Sequence, residues 1–382
     1  MAAISAYLKL MVEKGASDLF LSPGSPPYMR IDGATQLLCE QKLASGEVKP
    51  LAYEIMSEQQ RTLFEAELES NFACAIEGVG RFRVNVYHTR GEVAVVARHI
   101  KLTIPNFAEL GLPADVADIV MQKRGLILVV GGAGSGKSTS LAAMVDYRAD
   151  RADEHVLTIE DPIEYLFPQR RSLIDQREVG IDTLSFGAAL RNAMRESPDV
   201  IMIGEIRDME TAHHAIAYAE AGHLCLSTMH ANNANQAIDR MINFFPESAH
   251  RQLLLDLSLN LEGVVSQRLI PAIDGKRVLA VEVMRRTAYI SEMIREGHLN
   301  EIKREMEKGN EPGIKTFDQS LFALYVAGRI SREVALDNAD SRTDLSLKMR
   351  LSEQQPSAAG ANREPADNAA EKTNPYERMR RQ

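Results

Sequence analysis

Lys137 and Ser138 follow the run Gly131-Gly132-Ala133-Gly134-Ser135-Gly136 and precede Thr139. Those residue types in that order make a phosphate cradle. The glycines let successive backbone N–H groups turn inward, and the positive end of a following helix adds to their field. Lys137 would reach the β- and γ-phosphates of a nucleotide, and the Ser138 hydroxyl would complete a Mg²⁺ shell.

Hydrolysis also needs a carboxylate at the end of a neighbouring strand. Pro198-Asp199-Val200-Ile201-Met202-Ile203-Gly204-Glu205 supplies one, and Glu205 is the candidate general base. In an open α/β sheet the carboxyl edge is where ligands bind. Thr158-Ile159-Glu160-Asp161-Pro162-Ile163-Glu164 is a second acidic cluster. Glu160, Asp161 and Glu164 would line the same cleft and orient Mg²⁺ through water. In Gly222-His223-Leu224-Cys225-Leu226-Ser227-Thr228-Met229-His230 two histidines bracket a strand. His230 would sense the γ-phosphate at the ligand edge, while His223 falls at the opposite end. Arg81-Phe82-Arg83-Val84-Asn85-Val86 alternates, so Arg81 and Arg83 share one face and form an anion clamp that Arg98 would join. Arg195 and Arg207 flank the Glu205 strand and are further candidates for phosphate contact; ring-shaped motors commonly supply an arginine in trans. Each cluster has a plainer reading beside this one, as a solvated strand end, an acidic loop or surface arginines.

These groups need elements to hold them. The run 126–130 is apolar throughout and reads as a strand buried on both faces; Leu141, Met144 and Val145 mark one face of the helix after the loop. Further apolar strands at 155–160, 200–204 and 224–229 alternate with helical patterns, which predicts a parallel sheet covered on both sides over 113–285. Residues 1–100 read as a separate small α+β domain: a first helix, two short strands, a helical stretch at 47–67, then strand-like runs near 72–77, 81–88 and 92–99. Pro105, Gly111 and Pro113 punctuate an aperiodic linker at 101–112 that would let one domain rotate against the next. From 286 to 352 the pattern is helical, with Thr316-x-x-Gln319 as a capping box and Ser331 as an N-cap. Residues 353–382 lack Leu, Ile, Val and Phe and read as a disordered tail, ending in the basic Arg378-Met379-Arg380-Arg381.

The 382 residues are 45% hydrophobic and 25% charged, ample for a large core. A formal net charge of -9 argues against a nucleic-acid partner. Cys39, Cys74 and Cys225 are scattered, which fits reducing cytoplasm better than a disulfide or zinc framework. No apolar run reaches the length of a membrane span, and Lys9, Glu13 and Lys14 break any signal-like start. The expectation is a cytoplasmic protein whose membrane contact is peripheral.

Taken together, the Thr158–Tyr165, Ser197–Arg207 and Gly222–His230 boxes, with Arg81-Phe82-Arg83-Val84-Asn85, resemble the secretion ATPases of type II and type IV pilus systems. Within them the resemblance is to the retraction branch of PilT and PilU, and it covers residues 1 to about 345. It implies a PAS-like N-terminal domain and a RecA-like ATPase domain assembled as a homo-hexameric ring, with ATP between the domains. Glu205 would be the catalytic carboxylate, Glu164 the second catalytic acid, and Arg81, Arg83 and Arg98 would close over the phosphates. The motor would engage an inner-membrane pilus platform protein and drive pilus depolymerisation. PilT members carry an Ala-Ile-Arg-Asn-Leu motif where this chain has Ala288-Tyr289-Ile290-Ser291-Glu292-Met293. That departure and the long tail favour the PilU side, whose members are accessory motors beside a PilT-type sister. Two rival readings are a ring component that binds nucleotide with little turnover of its own and a P-loop nucleic-acid translocase.

Overall fold

Alternating strands and bare apolar runs separate into two sheets in the computed structural model, which describes residues 3–31, 33–100, 103–309 and 311–354. The first sheet uses β1 (Asp18–Leu21), β2 (Tyr28–Ile31), β3 (Ala34–Leu37), β4 (Glu69–Ile76), β5 (Gly80–Thr89) and β6 (Glu92–Ile100). Its order is β3-β2-β1-β6-β5-β4, and all neighbours are antiparallel. Phe82, Val84 and Val86 of β5 are buried, packed with Leu8 and Met11 of the helix Ile4–Glu13 and with Phe64. The stretch read as one helix near 47–67 is two, Val48–Glu54 and Glu58–Glu67. Ser57 divides them: its side chain accepts from Gln60 N while the Gln60 side chain accepts from Ser57 N. This reciprocal cap starts a helix afresh.

The second sheet uses β7 (Gly125–Gly131), β8 (His155–Glu160), β9 (Leu173–Glu178), β10 (Val200–Ile203), β11 (Leu224–Met229), β12 (Leu261–Pro271) and β13 (Arg277–Arg285). The order is β13-β12-β7-β11-β10-β8-β9. Pairs from β12 through β9 are parallel, and every residue of β7, β10 and β11 is buried. The expectation of an all-parallel sheet fails at one edge, because β13 pairs antiparallel with β12. Only residues 272–276 join those two strands, too few for the crossover a parallel neighbour needs. Strands β9, β12 and β13 were not among those expected.

Helices cover both faces. The helix Lys137–Ala149 packs Leu141, Met144 and Val145 on one face with Val116 and Ile119 beside them. On the other face Leu190, Ile216, Ile238 and Leu257 share a core with Ile290 and Ile302. The helical end after 286 therefore divides. The helices Ala288–Arg295 and Leu299–Glu307 join the main core, while Phe317, Leu321, Ala335, Leu345 and Met349 form a cluster of their own on Ile270 and Ala280. Thr316 with Gln319 forms a capping box and Ser331 caps the helix after it.

The stretch between the sheets is more structured than its sequence suggests. Asn106 and Glu109 cap a helical turn, Phe107–Leu110, and Phe107 stacks on Tyr147 with ring centroids 4.8 Å apart. The last helix, Arg342–Gln354, runs into the segment read as a tail, and residues 355–382 lie outside the described residues.

Candidate active site

Parallel strands deliver their carboxyl ends to one edge of a sheet, and that is how this site is assembled. β7 ends in the glycine loop, β8 in Glu160, β10 in Gly204-Glu205 and β11 in Thr228-Met229-His230. They converge on a cleft of about 540 Å³ whose walls include Lys137, Ser138, Glu164, Glu205 and His230.

The loop conformation depends on its glycines. Gly134 and Gly136 have φ of +71° and +88°, in the left-handed region that side chains avoid. A Cβ on Gly131 would fall 2.4 Å from Ser135 Oγ and 2.6 Å from the Gln267 carbonyl oxygen. Lys137 opens the helix and is buried, with Nζ donating to the carbonyls of Gly131 (3.1 Å) and Gly132 (3.0 Å). Burial pulls its ammonium below the ordinary lysine range, against the carboxylates of Glu205 and Glu164. A positive group held beside a bent run of inward amides and two acids fits a polyphosphate. The Ser138 hydroxyl with the Glu164 carboxylate is an oxygen donor set that fits Mg²⁺.

Glu205 is held from both sides. Arg207 Nε donates to Oε2 at 2.7 Å, and His230 Nε2 stands 3.1 Å from Oε1. Arg207 also reaches Asp161 at 3.7 Å. Hydroxyls on β11 fix the strand end beneath: Ser227 Oγ donates to the Ile203 carbonyl and Thr228 Oγ1 to that of Gly204, each at 2.7 Å. Glu160 is buried, and burial pushes its carboxyl up to about 7 although Thr158 and Gln176 donate to it at 2.8 and 3.1 Å. His223 lies at the far end of β11 against the Tyr218 carbonyl.

The arginines divide. Arg83 and Arg98 stand opposite each other on β5 and β6 and line the cleft, though Arg98 Nε also donates to Asp18 at 2.8 Å. The expectation that Arg81 closes over phosphates is not met, because its guanidinium pairs with buried Glu178 at the end of β9. Outward alternation gave Arg81 its face but not its partner, ninety-seven residues away. Arg195 is also absent from the cleft. It is exposed ahead of the amino end of β10, opposite the ligand edge, and bonds Asn192 at 3.4 Å.

Sequence reasoning missed the groups that brace the acidic loop. Gln176 on β9 donates to the Tyr165 carbonyl (2.9 Å), and its oxygen accepts from Phe167 N (3.1 Å). The Tyr165 hydroxyl shares a 2.8 Å hydrogen bond with Thr139, tying that loop to the phosphate helix. A second cavity of about 320 Å³ lies behind the glycine loop, between Gly136, Thr139, Leu269, Leu279 and the turn at Gly111. Its only sequence signal is adjacency to the glycine run.

Residues 1–311 match the family model described as type II/IV secretion system protein. The chain belongs to that family. It is 48% identical over 345 residues to the type IV pilus ATPase PilU of Pseudomonas aeruginosa, covering 90% of each chain. To the type IV pilus retraction ATPase PilT of the same organism it is 41% identical over 336 residues, 88% of this chain and 98% of that one. A crystal structure of the pilus retraction motor PilT with bound ADP superposes with a TM-score of 0.86 at 42% identity, covering 91% of this chain and all of that one. The protein is thus an ATPase of the PilT/PilU branch, with an N-terminal domain, a RecA-like ATPase domain and a helical end. Among the described residues no helix is long and apolar enough to cross a membrane.

Proposed function

We propose that this chain is an ATP-hydrolysing motor for type IV pilus retraction and twitching motility, working as an accessory to a PilT-type sister motor. The observation that carries the reading is the meeting in one cleft of the glycine loop, Glu205 at the end of β10, and Arg83 and Arg98 of the other sheet. The loop amides and Lys137 bind the phosphates, and the base and ribose enter the apolar-walled cavity at Leu269 and Leu279. Ser138, with Glu164 through water, would hold Mg²⁺, which when bound neutralises charge on the phosphate oxygens. Glu205 takes the proton of the attacking water. Arg83 and Arg98 stabilise the charge that develops, as preorganised cations in a shielded cleft do. Arg207 and His230 orient Glu205.

The same reading divides the chain into a motor core at 113–285, an N-terminal unit at 1–100 joined by 101–112, and a helical end at 286–352. Six copies would form a ring at the cytoplasmic face of the inner membrane, against the pilus platform protein. Similarity to PilU across 90% of the chain, and Ala288–Met293 in place of the PilT motif, support the accessory role. A second reading has its own support. Arg207 and His230 each occupy a carboxylate oxygen of Glu205, which leaves an attacking water less access to it, as in a ring partner that binds nucleotide and turns over little. Phosphate release by the purified chain with Mg²⁺ and ATP separates the two. Turnover that is lost in Glu205→Gln supports the motor, and an inactive wild type that still binds ATP supports the partner. Retraction measured in cells lacking this chain, with and without the sister motor, tests the accessory role.

A further inference from the structure

Two buried polar atoms beneath the glycine loop have no hydrogen-bond partner: the Ser135 hydroxyl and the carboxamide oxygen of Gln267. They belong to one place. Gln267 on β12 pairs in register with Gly131 on β7, and Ser135 Oγ crowds the same glycine from the loop side. The hydroxyl can donate, and the carboxamide oxygen can only accept. Buried polar groups are nearly always paired, so two complementary orphans beside a phosphate loop need a reason.

The rest of Gln267 is committed. Its amide nitrogen donates to Ser140 Oγ at 2.6 Å, in the first turn of the phosphate helix. The strand beneath is well anchored. Arg268 donates to the Asn338 carbonyl (2.6 Å) and to Asp340 (2.7 Å) and lies 3.8 Å from the centre of the Phe317 ring. Gln267 is therefore a fixed post, and Ser135 belongs to the segment that must fit its ligand.

We propose that Gln267 is a positioning residue for the nucleotide. Its carboxamide oxygen accepts a hydrogen bond from Ser135 when the loop closes on phosphates, while its nitrogen keeps Ser140, so the loop is strapped between β12 and the phosphate helix. It acts through the loop and touches no nucleotide atom. The inference rests on the reading that the loop holds a triphosphate.

Gln267→Met keeps the shape and removes both hydrogen-bonding ends; Ser135→Ala removes only the loop partner. The full-length variants, and the pair combined, are assayed for ATP turnover with Mg²⁺ and for affinity by displacement of a fluorescent ATP analogue. Ser135→Ala is expected to raise KM and Kd about five- to tenfold, the worth of one buried hydrogen bond, and Gln267→Met at least as much because it also releases Ser140, with kcat changed less than KM in both. The double variant should be no weaker than Gln267→Met alone, because that change already removes the bond that Ser135→Ala cuts. Unchanged KM and Kd in both single variants overturn the proposal, as does a double variant whose losses multiply. If Gln267→Met lacks a melting transition, Ser135→Ala decides alone: unchanged affinity overturns the proposal and weakened affinity supports it. Lys137→Ala runs alongside. Retained nucleotide binding there would sink the underlying reading, whereas lost binding there with Gln267→Met unaffected sinks only the role of Gln267.

Discussion

The two sheets hold their charged groups in opposite ways. In the seven-stranded sheet the reactive groups sit where strands stop, so the backbone ladder sets their positions: Glu160 after β8, Glu205 after β10, His230 after β11. In the six-stranded sheet arginines lie along the faces of β5 and β6, and their positions depend on where the whole sheet stands. Arg81 and Arg98 are bound to carboxylates, while Arg83 makes no ion pair among the described residues. The difference separates two jobs. On the proposed reading one sheet would bind and react, and the other would bring its cations to it.

This division makes ranked predictions. Lys137→Ala removes a buried ammonium from the fixed half and should lower nucleotide affinity about a hundredfold or more, read by displacement of a fluorescent analogue. Glu205→Gln should cut turnover by about 10²–10⁴-fold with affinity nearly unchanged; comparable hydrolysis in that variant would move the base, with Glu164 the next candidate. In the six-stranded half the ion pairs of Arg81 and Arg98 also predict effects on stability. Arg81→Ala leaves Glu178 buried without its cation and should cost about 3 kcal/mol in urea unfolding. Adding Glu178→Leu should recover much of that loss. Arg98 is largely exposed, and its buried partner Asp18 keeps Arg30 at 3.7 Å and the Ser17 hydroxyl, so Arg98→Ala should cost less, about 1 kcal/mol. Equal losses for the two arginines would erase the distinction between a buried carboxylate with one cation and one with two.

A further effect is in pH. Burial holds the Glu160 carboxyl at about 7, against about 4.3 in an unfolded chain. The folded protein keeps that proton longer, so the stability it contributes is complete below about pH 4 and disappears as pH rises through about 7. Glu160→Gln has no such charge. Its melting temperature should gain on the wild type by about 2–4 °C between about pH 5 and about pH 8. A constant difference across that range would mean that Glu160 is ionised throughout.

The legible parts of the fold were those whose residues follow one rule. β7 and β10 are apolar without interruption, and the glycine loop and Glu205 follow from their ends. β9 was hidden because Asp175, Gln176, Arg177 and Glu178 form four of its six residues, and their partners come from His155, Glu160, Glu196 and Arg81 elsewhere in the chain. β12 and β13 were hidden by Ser266, Gln267 and Glu282, polar residues that are buried because they bond one another, Ser140 or Ala234 N. Periodicity records burial only where burial and apolarity coincide. For the same reason alternation could pair Arg81 with Arg83 on one face but could not send them to different partners.

The tie between Arg81 and Glu178 has a consequence for anyone who cuts this protein in two. Severing the chain near Leu112 puts the Arg81 guanidinium on one fragment and the Glu178 carboxylate on the other, so the ion pair becomes a contact between two separate pieces. Mixed in solution, the two pieces should reassociate more tightly with Arg81 present than with Arg81→Ala.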